Sequence, residues 1–512
     1  MLLIHEASLW VFDMASWRSS VQQVDRVLGE QNPWHSDGAI PGVLAPPVER
    51  ALTRRLWAQV LADDPRRFHL VLGPRRVGKT TAMYQSVRHL IDAGASPERL
   101  WWLRMDHPVL LRESLGDLVR HVIEFSDARP GQEAVLLLDE LVYADQWDLW
   151  LKTFYDDRWP VRLVATSSAT AALRGGRVES GVGRWSEHFL MPYLFSEYLD
   201  LLGQPAEIEV RATLADTLAA LPRTAPPKNL ASLRRRFLLV GGFPELITRD
   251  AGREDETDVD RLLLSQQVLR TDAVERAIYK DIPQSFGIDH PMLLERLLYI
   301  LAGQVTGILS PSSVCAELDN LSQPTLDRYV SYLEQTFLVF RLTNYSGNES
   351  SVQKRGRKIY FHDGAVRNAA LQRGTAPLTD PTEMGLLLEN LAAASLHTLA
   401  LHEGTRLHHW RDGRDEVDLI HDHPTEPLAF EIGSSARHST KGLVALQQRH
   451  PRFAGRCYLV APDAPTRRPA ESGDGVGSLP LDQFLVAVGR QAERALNRTL
   501  TGGVGPGDRF PL

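Results

Sequence analysis

The chain has 512 residues, 43% hydrophobic and 24% charged, an ordinary composition for a globular protein of about three domains. Its net charge of −7 gives no overall basic signature of a nucleic-acid binder, although this does not exclude local basic patches. Cys315 and Cys457 are too few to staple such a chain, so we predict a cytoplasmic protein. The amino-terminal stretch carries Glu6 and Asp13 and lacks a basic region, so no signal peptide is expected. No uncharged apolar run reaches about 18 residues, so no membrane association is expected.

In chain order the sequence divides into five segments. Residues 1–48 are expected to be an amino-terminal appendage and a Gly- and Pro-rich linker. Residues 49–255 alternate short apolar strands with amphipathic helical stretches, which is typical of a parallel sheet covered by helices. Residues 256–375 are mostly helical, residues 376–490 form a second α/β unit, and residues 491–512 are expected to be a flexible tail. The predicted fold class is α/β.

A complete phosphate-binding motif follows the first strand predicted in the second segment. The sequence VLGPRRVGKTT contains G-x-x-x-x-G-K-T from Gly73 to Thr80, between an apolar strand and a helical stretch. Glycines let backbone N–H groups turn toward phosphate oxygens, and the helix amino terminus adds partial positive charge. Lys79 is expected to reach the β- and γ-phosphates, and the Thr80 hydroxyl to ligate Mg²⁺. The motif therefore predicts ATP and Mg²⁺ as ligands.

Acidic and polar residues at the ends of two later strands are expected to complete this site. The sequence EAVLLLDEL places Asp139 and Glu140 after four apolar residues, so we predict that Asp139 holds Mg²⁺ and that Glu140 orients or deprotonates the attacking water. Ser168, in the stretch VRLVATSSA, either lies beside the γ-phosphate or simply follows a strand. The residues predicted to contact the nucleotide are Gly73, Pro74, Arg75, Arg76, Val77, Gly78, Lys79, Thr80, Thr81, Asp139 and Ser168.

Arg184, in the stretch ESGVGRWSEHF, is a candidate arginine finger. An arginine supplied to the γ-phosphate of a neighbouring subunit would stabilise the transition state of hydrolysis. The alternative is an ordinary surface arginine. With Arg184 included, the predicted catalytic residues are Lys79, Glu140 and Arg184.

Five stretches in this order resemble a large group of prokaryotic AAA-type ATPases with a P-loop. They are GPRRVGKTT, LLLDE, ATSSA, the GRW…PYLFSEYL region and GGFPEL at residues 241–246. The resemblance extends from about residue 50 to about residue 465. It implies a P-loop ATPase core, then a winged-helix segment, then a carboxy-terminal domain of undefined function that is related to restriction endonucleases.

The middle segment fits a helix, a turn, a second helix and a strand. Ser310 is a suitable helix cap and Pro311 suits a first helical turn. The second helix exposes a face that is poor in positive charge, so it either enters a DNA groove or has only a structural role. Arg234–Arg236 and residues 353–358 are the better basic candidates, although each is also compatible with a solvated charge run.

The carboxy-terminal segment contains the acidic residues of a candidate degenerate nuclease site. Glu389 lies on a predicted helix, while Asp418, with Glu416 on the same face, and Glu431 lie on predicted strands. Two such carboxylates can hold Mg²⁺ and activate water. The usual E-x-K lysine is missing, because the position two residues after Glu431 is a glycine. Lys441 is the only nearby replacement that the sequence suggests, so we expect no nuclease activity.

These features predict an ATP-hydrolysing enzyme that forms a homo-oligomer and acts on DNA. One alternative is a nucleotide-controlled regulatory switch whose carboxy-terminal domain binds a protein partner. The other alternative is an ATP-gated nuclease that uses Lys441. Neither the net charge nor the predicted second helix of the middle segment distinguishes among the three.

Overall fold

The computed structural model describes residues 20–62, 66–169, 183–224, 227, 229–251, 259–288, 290–346 and 357–501. Within these ranges the strands form a five-stranded sheet and an eight-stranded sheet, with helices packed against them. The predicted α/β class is confirmed.

The first sheet is entirely parallel and has the strand order β2-β3-β4-β1-β5. Its central strands are buried along their whole length, which explains their continuous apolar sequences. The strands are β1 (Phe68–Leu72), β2 (Leu100–Arg104), β3 (Ala134–Asp139), β4 (Val161–Ser167) and β5 (Trp185–Phe189). The helices of this region are α1 (Val21–Gln31), α2 (Trp34–Asp37), α3 (Ala51–Leu61), α4 (Lys79–Asp92), α5 (Leu115–Phe125) and α6 (Trp147–Asp156).

The described part of the expected amino-terminal appendage is held against this sheet. Asn32, just after α1, donates to the carbonyl of Trp102 and accepts the Trp102 N–H at 2.6 Å. The fully buried Trp34 donates its indole N–H to the carbonyl of Leu100. Asn32 and Trp34 thus attach this part of the appendage to the backbone of β2, the strand at the end of the sheet.

A mostly helical region connects the two sheets. Its helices are α7 (Phe195–Leu201), α8 (Leu214–Ala219), α9 (Asn229–Val240), α10 (Pro244–Asp250), α11 (Val259–Leu269), two π-helical turns (Arg270–Glu275 and Ala277–Asp281), α12 (Ile282–Phe286), α13 (Pro291–Gly303), α14 (Pro311–Glu317), α15 (Gln323–Gln335) and α16 (Gly364–Ala370). Its strands are β6 (Ile308–Leu309), β7 (Val339–Asn344) and β8 (Arg357–Phe361). The helix, turn, helix and strand order predicted for the middle segment is present in α14, α15 and β7.

The GGFPEL stretch joins the P-loop sheet to this helical region. Gly242 accepts the N–H of Tyr193 at 2.7 Å and donates its own N–H to Asp363 at 2.6 Å. A Cβ atom at Gly242 would lie 2.5 Å from the backbone N and O of Tyr193, so only glycine fits. Asp363 also caps α16 by accepting the N–H of Ala365. The two hydrogen bonds made by the Gly242 backbone therefore fix the two regions to each other.

The second sheet combines the β7–β8 hairpin with the carboxy-terminal strands. Its strand order is β13-β12-β11-β10-β9-β7-β8-β6. The carboxy-terminal elements are α17 (Pro381–Glu403), β9 (Arg406–Asp412), β10 (Asp415–Asp422), β11 (Leu428–Ile432), α18 (Lys441–Arg449), β12 (Cys457–Ala461), β13 (Val476–Pro480) and α19 (Leu481–Thr501). The join is a short parallel pairing of Thr343 with His408 and Asn344 with His409. The middle segment and the carboxy-terminal unit thus share one sheet.

Two long helices of this half are core elements. Among the described residues, Pro381–Glu403 is the one helix long and apolar enough to cross a membrane, but 67% of its apolar window is buried inside the protein. Leu481–Thr501 continues eleven residues into the segment that was expected to be a flexible tail, and it buries Ala492, Ala495 and Leu496. This difference arises because these apolar residues recur on one helical face. Residues 502–512 lie outside the described ranges.

Candidate functional site

The P-loop connects β1 to α4 at the carboxyl edge of the first sheet. Gly78 has a left-handed φ of 94° and precedes α4, whose amino terminus receives no side-chain cap. A Cβ atom at Gly73 would lie 2.0 Å from the carbonyl oxygen of Leu190, so the loop packs against the residue that follows β5. The uncapped N–H groups at this helix end are available to an anion.

Lys79 is buried beneath this loop. Its ammonium group donates to the carbonyl of Gly73 at 2.8 Å and to the carbonyl of Pro74 at 2.9 Å. Burial lowers the pKa of Lys79, while the carboxylates of Glu140 and Asp139 oppose that effect. The lysine is thus held close to the loop by acceptors that a phosphate could replace.

Asp139 is the centre of a hydrogen-bond network at the end of β3. Its two carboxylate oxygens accept the hydroxyl of Thr80 at 2.8 Å and the hydroxyl of Thr166 at 2.5 Å. Burial raises the pKa of Asp139. The predicted pair of magnesium-binding residues, Thr80 and Asp139, is therefore brought together. Thr166 is an additional site residue beside the selected Ser168, and the run of hydroxyl residues at the end of β4 contained the signal.

Glu140 is turned toward the same edge by an unusual backbone conformation. Its φ is 56°, which costs a residue with a Cβ about 1 kcal/mol. The Glu140 N–H donates to the Thr166 hydroxyl at 3.0 Å, and the Ser168 hydroxyl donates to the Glu140 carboxylate at 3.2 Å. The structure therefore places Ser168 beside the predicted catalytic base.

Two arginines of the P-loop bind acidic residues from the helical region. Arg75 makes a two-pronged ion pair with Asp281, with both N–O distances at 2.6 Å, and Asp281 is buried. Arg76 has a left-handed φ of 63° and pairs with Glu245 and with Asp272, the latter at 2.5 Å. The phosphate-binding loop is thus tied to the two π-helical turns and to α10.

The P-loop and Glu140 line a cleft of about 810 Å³, a volume that accommodates a nucleotide. The cleft adjoins the uncapped end of α4, and Thr80 and Asp139 supply the oxygen ligands that Mg²⁺ prefers. The residues at the site therefore fit ATP and Mg²⁺. Of the predicted residues, those that line the cleft are Arg75, Arg76, Val77, Gly78, Lys79, Thr80, Thr81 and Glu140. Arg249 and Arg276 also line it, and sequence analysis missed both because they lie far along the chain.

Arg184 lies at the amino-terminal ends of the strands, whereas the P-loop lies at their carboxyl ends. Strand β5 runs parallel to β1, and the carbonyl of Arg184 accepts the N–H of Phe68 at the start of β1. The P-loop follows the opposite end of β1. The Arg184 side chain forms an ion pair with Asp156 at 2.8 Å. Arg184 is therefore remote from the phosphate site of its own chain.

Two of the three arginines at 234–236 form ion pairs inside the protein. Arg234 forms a buried ion pair with Asp482, and Arg236 forms one with Asp250. Arg235 is exposed and donates to a backbone carbonyl. The interpretation of Arg234–Arg236 as a solvated or DNA-binding run is wrong for its two outer members, because distant acids neutralise them. Of residues 353–358, those from 353 to 356 lie outside the described ranges.

The carboxy-terminal acids converge, and a lysine lies among them. The Lys358 ammonium, on β8, is 2.7 Å from a carboxylate oxygen of Glu416, 3.1 Å from Asp418 and 3.4 Å from Glu389. Burial disfavours the ammonium charge, yet these carboxylates hold the pKa of Lys358 above its ordinary value. Sequence analysis missed Lys358 as a site residue because it was placed within a basic loop. No group of three His, Cys, Asp or Glu side chains in the described ranges is arranged to hold a metal ion.

The position of the missing nuclease lysine has no room for a side chain. A Cβ atom at Gly433 would lie 2.6 Å from the Cβ of His438, whose imidazole pairs with Glu431 at 3.1 Å. Burial raises the pKa of Glu431 to about 7. Lys441 is exposed at the start of α18, and no described ion pair joins it to these acids. The structure therefore shows no ion pair of Lys441 with Glu389, Asp418 or Glu431 in the described ranges, although the next residue, Gly442, lies against the backbone of Glu416.

Two parts of the chain match protein-family models. Residues 65–199 match an AAA domain, and residues 232–376 match a domain of unknown function, DUF8612. The first match coincides with the P-loop sheet. Together with the geometry of the site, it supports a P-loop AAA-type ATPase.

Similar proteins include one uncharacterised protein from Methanocaldococcus jannaschii and another from Haemophilus influenzae. The first is 26% identical over 399 residues, which cover 76% of this chain and 80% of the relative. The second is 20% identical over 399 residues, which cover 76% of this chain and 89% of the relative. A solved structure, the Walker-type ATPase of Pyrococcus abyssi, is 14% identical, covers 62% of this chain and 94% of its own, and aligns with a TM-score of 0.40.

Proposed function

We propose that the protein is an enzyme that hydrolyses ATP to ADP and phosphate with Mg²⁺. The observation that carries this proposal is the placement of Thr80, Thr166 and Glu140 around Asp139, next to the buried Lys79. In this arrangement a metal ligand, a phosphate-binding cation and a general base meet at one cleft.

Each residue of the site has a specific role in this reaction. Bound Mg²⁺, held by Thr80 and Asp139, would supply charge neutralisation at the phosphates. Lys79 exchanges its contacts with loop carbonyls for contacts with phosphate oxygens. Glu140 accepts the proton of the attacking water, and Ser168 holds the Glu140 carboxylate in position.

The active form is proposed to be a homo-oligomer. Arg184 lies at the sheet edge opposite the P-loop, so it serves a nucleotide site only if that site belongs to a neighbouring subunit. Its ion pair with Asp156 would then be exchanged for a contact with the γ-phosphate.

The contacts of the P-loop arginines favour a nucleotide-controlled switch. In this switch, ATP binding changes the conformation of the helical region. Phosphate oxygens compete with Asp281 for Arg75 and with Asp272 for Arg76, because all are anions at the same loop. Nucleotide binding would thus loosen the π-helical turns that precede α12 and α13. The predicted winged-helix segment follows directly and passes this change to the carboxy-terminal sheet.

Asp281→Asn tests this coupling, since it keeps the shape of the side chain and removes its charge. We expect the variant to bind ATP about threefold to tenfold more tightly, a gain of about 1 kcal/mol, because Arg75 is released for phosphate. We also expect ATP to change the hydrogen exchange of residues 270–286 less in this variant than in the parent. Asp319→Asn, which removes an exposed partner of Arg296, is the matched control. Equal ATP affinity and equal exchange in all three proteins would reject the coupling.

We also propose that the ATPase acts on DNA. The second helix of the middle segment, α15, is the candidate element for DNA contact. Arg234 and Arg236 do not support DNA binding, because both are buried in ion pairs. The carboxy-terminal sheet, with strands β9 to β12 and helices α17 and α18, is proposed to be a nuclease-like domain without cleavage activity. That inactivity rests on the occupied space at Gly433 and on the exposed position of Lys441.

One set of assays separates these possibilities. The ATPase rate is measured with no DNA and with single-stranded, duplex and branched DNA, and the DNA is then examined for cleavage with Mg²⁺ or Mn²⁺. Strong stimulation by one DNA form supports action on DNA, whereas equal rates with all forms favour a switch that binds a protein partner. Cleavage that disappears in both Asp418→Ala and Lys441→Ala, with ATPase activity retained, would establish the nuclease that we do not expect.

A further inference from the structure

Lys358 is almost fully enclosed by the acids of the carboxy-terminal sheet. Its side chain is 3% exposed, and its ammonium group lies within 3.4 Å of carboxylate oxygens from three residues. Those residues come from two elements, since Glu389 lies on α17 while Glu416 and Asp418 lie on β10. Lys358 comes from a third element, β8, in the hairpin that follows α15.

Other donors also reach two of these carboxylates, one of them at the same Glu389 oxygen that Lys358 contacts. Tyr360, on the same strand as Lys358, donates its hydroxyl to Glu389 at 2.8 Å. The second oxygen of Asp418 accepts the N–H of Ile432 at 3.0 Å. An ammonium group has three N–H donors and no acceptor, so its contacts with three carboxylates use its full hydrogen-bonding capacity.

An ammonium group and a divalent cation compete for such a position. Mg²⁺ and Mn²⁺ need several carboxylate or water oxygens at about 2.0 to 2.2 Å. The Lys358 ammonium occupies the space beside these carboxylates, at 2.7 Å from Glu416 and 3.1 Å from Asp418. Without a cation the buried carboxylates would repel one another. The cluster therefore needs one positive charge, and the chain supplies it.

We propose that Lys358 is a built-in counter-ion that takes the place of a metal ion in this acidic cluster and fastens the β7–β8 hairpin to the carboxy-terminal domain. The proposal takes from the proposed function only the nuclease-like character of this domain, and it is independent of ATP hydrolysis. Lys358 differs in role from the missing nuclease lysine. It neutralises the acids and does not assist a metal-bound water.

The test uses the full chain with Lys358→Met, which keeps the length of the side chain and removes its charge. Mn²⁺ binding is measured by titration without nucleotide. Thermal unfolding is followed with and without Mn²⁺. Arg357→Met, which removes the neighbouring cation that pairs with Asp327, is the matched control. Lys358→Met combined with Asp418→Asn shows whether any new Mn²⁺ site belongs to the cluster.

We expect Lys358→Met to gain one Mn²⁺ site at least tenfold tighter than any in the parent, and Mn²⁺ to raise its melting temperature. Arg357→Met should not gain this site, and the added Asp418→Asn change should remove it. If Lys358→Met is unfolded in metal-free buffer, Mn²⁺ should restore its fold. The proposal is overturned if Mn²⁺ neither binds nor restores the variant. It is also overturned if the parent protein already binds Mn²⁺ in a way that Asp418→Asn abolishes.

ATPase rates of the same proteins keep this test separate from the proposed function. A Lys358→Met protein that hydrolyses ATP normally and gains no Mn²⁺ site rejects the counter-ion proposal alone. The hydrolysis rate of Lys79→Ala tests the nucleotide site and has no bearing on the role of Lys358.

Discussion

At the scale of single residues, the nucleotide site is built from side chains that already have partners. Lys79 is bonded to the carbonyls of Gly73 and Pro74, and Asp139 accepts two hydroxyl groups. These contacts satisfy buried polar groups that would otherwise destabilise the fold. They also fix the geometry of the site before nucleotide binds, so less conformational entropy is lost on binding.

Lys79→Ala tests the role of the ammonium group. We expect ATP affinity to fall at least tenfold, which corresponds to about 1.4 kcal/mol, because the phosphate charge loses its buried cation. Equilibrium binding of a fluorescent ATP analogue measures the loss. Lys152→Ala, which changes an exposed lysine on α6, should bind like the parent. A Lys79→Ala protein with the affinity of the parent would show that the nucleotide binds elsewhere.

At the scale of secondary-structure elements, sequence predicts what is local and misses what depends on distant partners. The strand, loop and helix around Gly73 to Thr80 are contiguous, so their geometry follows from the motif alone. Lys358 is 60 residues from Asp418, and the ion pair between Arg234 and Asp482 spans 248 residues. A run of basic residues looks the same in sequence whether it faces solvent or distant acids. For that reason Arg234 and Arg236 were grouped with an exposed basic run and Lys358 was not selected as a site residue.

The carboxyl group of Asp363 holds two parts of the fold, the GGFPEL stretch and the start of α16. It caps α16 and accepts the N–H of Gly242, so Asp363→Ala should cost about 2 kcal/mol of unfolding free energy. Denaturant unfolding at neutral pH measures this cost. Asp380→Ala, which removes the more exposed cap of α17, should cost less.

The pH dependence of this contribution has a definite sign. Burial raises the pKa of Asp363 to about 6, from an ordinary value of 3.8. The folded state therefore holds the proton more tightly, and this stabilisation is complete below about pH 3.8 and is lost as pH rises through about 6. Asp363→Asn does not titrate, so the stability of the parent relative to this variant should fall between pH 4 and pH 7. A constant difference over this range would reject the raised pKa.

At the scale of the whole molecule, the two halves of the chain are joined more closely than the sequence suggests. The β7–β8 hairpin belongs to the same sheet as the carboxy-terminal strands, and the GGFPEL stretch is bonded to both regions. The P-loop is in turn bonded to the π-helical turns through Arg75 and Arg76. A change at the phosphate site therefore has a continuous set of contacts along which to reach the carboxy-terminal domain.

The proposed oligomer makes a prediction that a monomer cannot satisfy. Arg184→Ala and Lys79→Ala should each lower ATP turnover, by about tenfold or more for the arginine. Mixing the two proteins should restore part of the activity, because some interfaces then combine an intact P-loop with an intact Arg184. Arg158→Ala, at an exposed loop, is the control for removing an arginine. Normal turnover by Arg184→Ala in an oligomer shown by light scattering would return Arg184 to a surface role.

ATP turnover and ATP binding by Glu140→Gln in the full chain decide whether this cleft hydrolyses ATP. The substitution keeps the shape of the side chain and its contact with Ser168 but removes its basicity. We expect the variant to bind ATP with Mg²⁺ like the parent while its hydrolysis rate falls at least a hundredfold, and we expect Glu124→Gln on α5 to behave like the parent. Equal hydrolysis rates for Glu140→Gln and the parent would contradict the assignment of this cleft as the catalytic site.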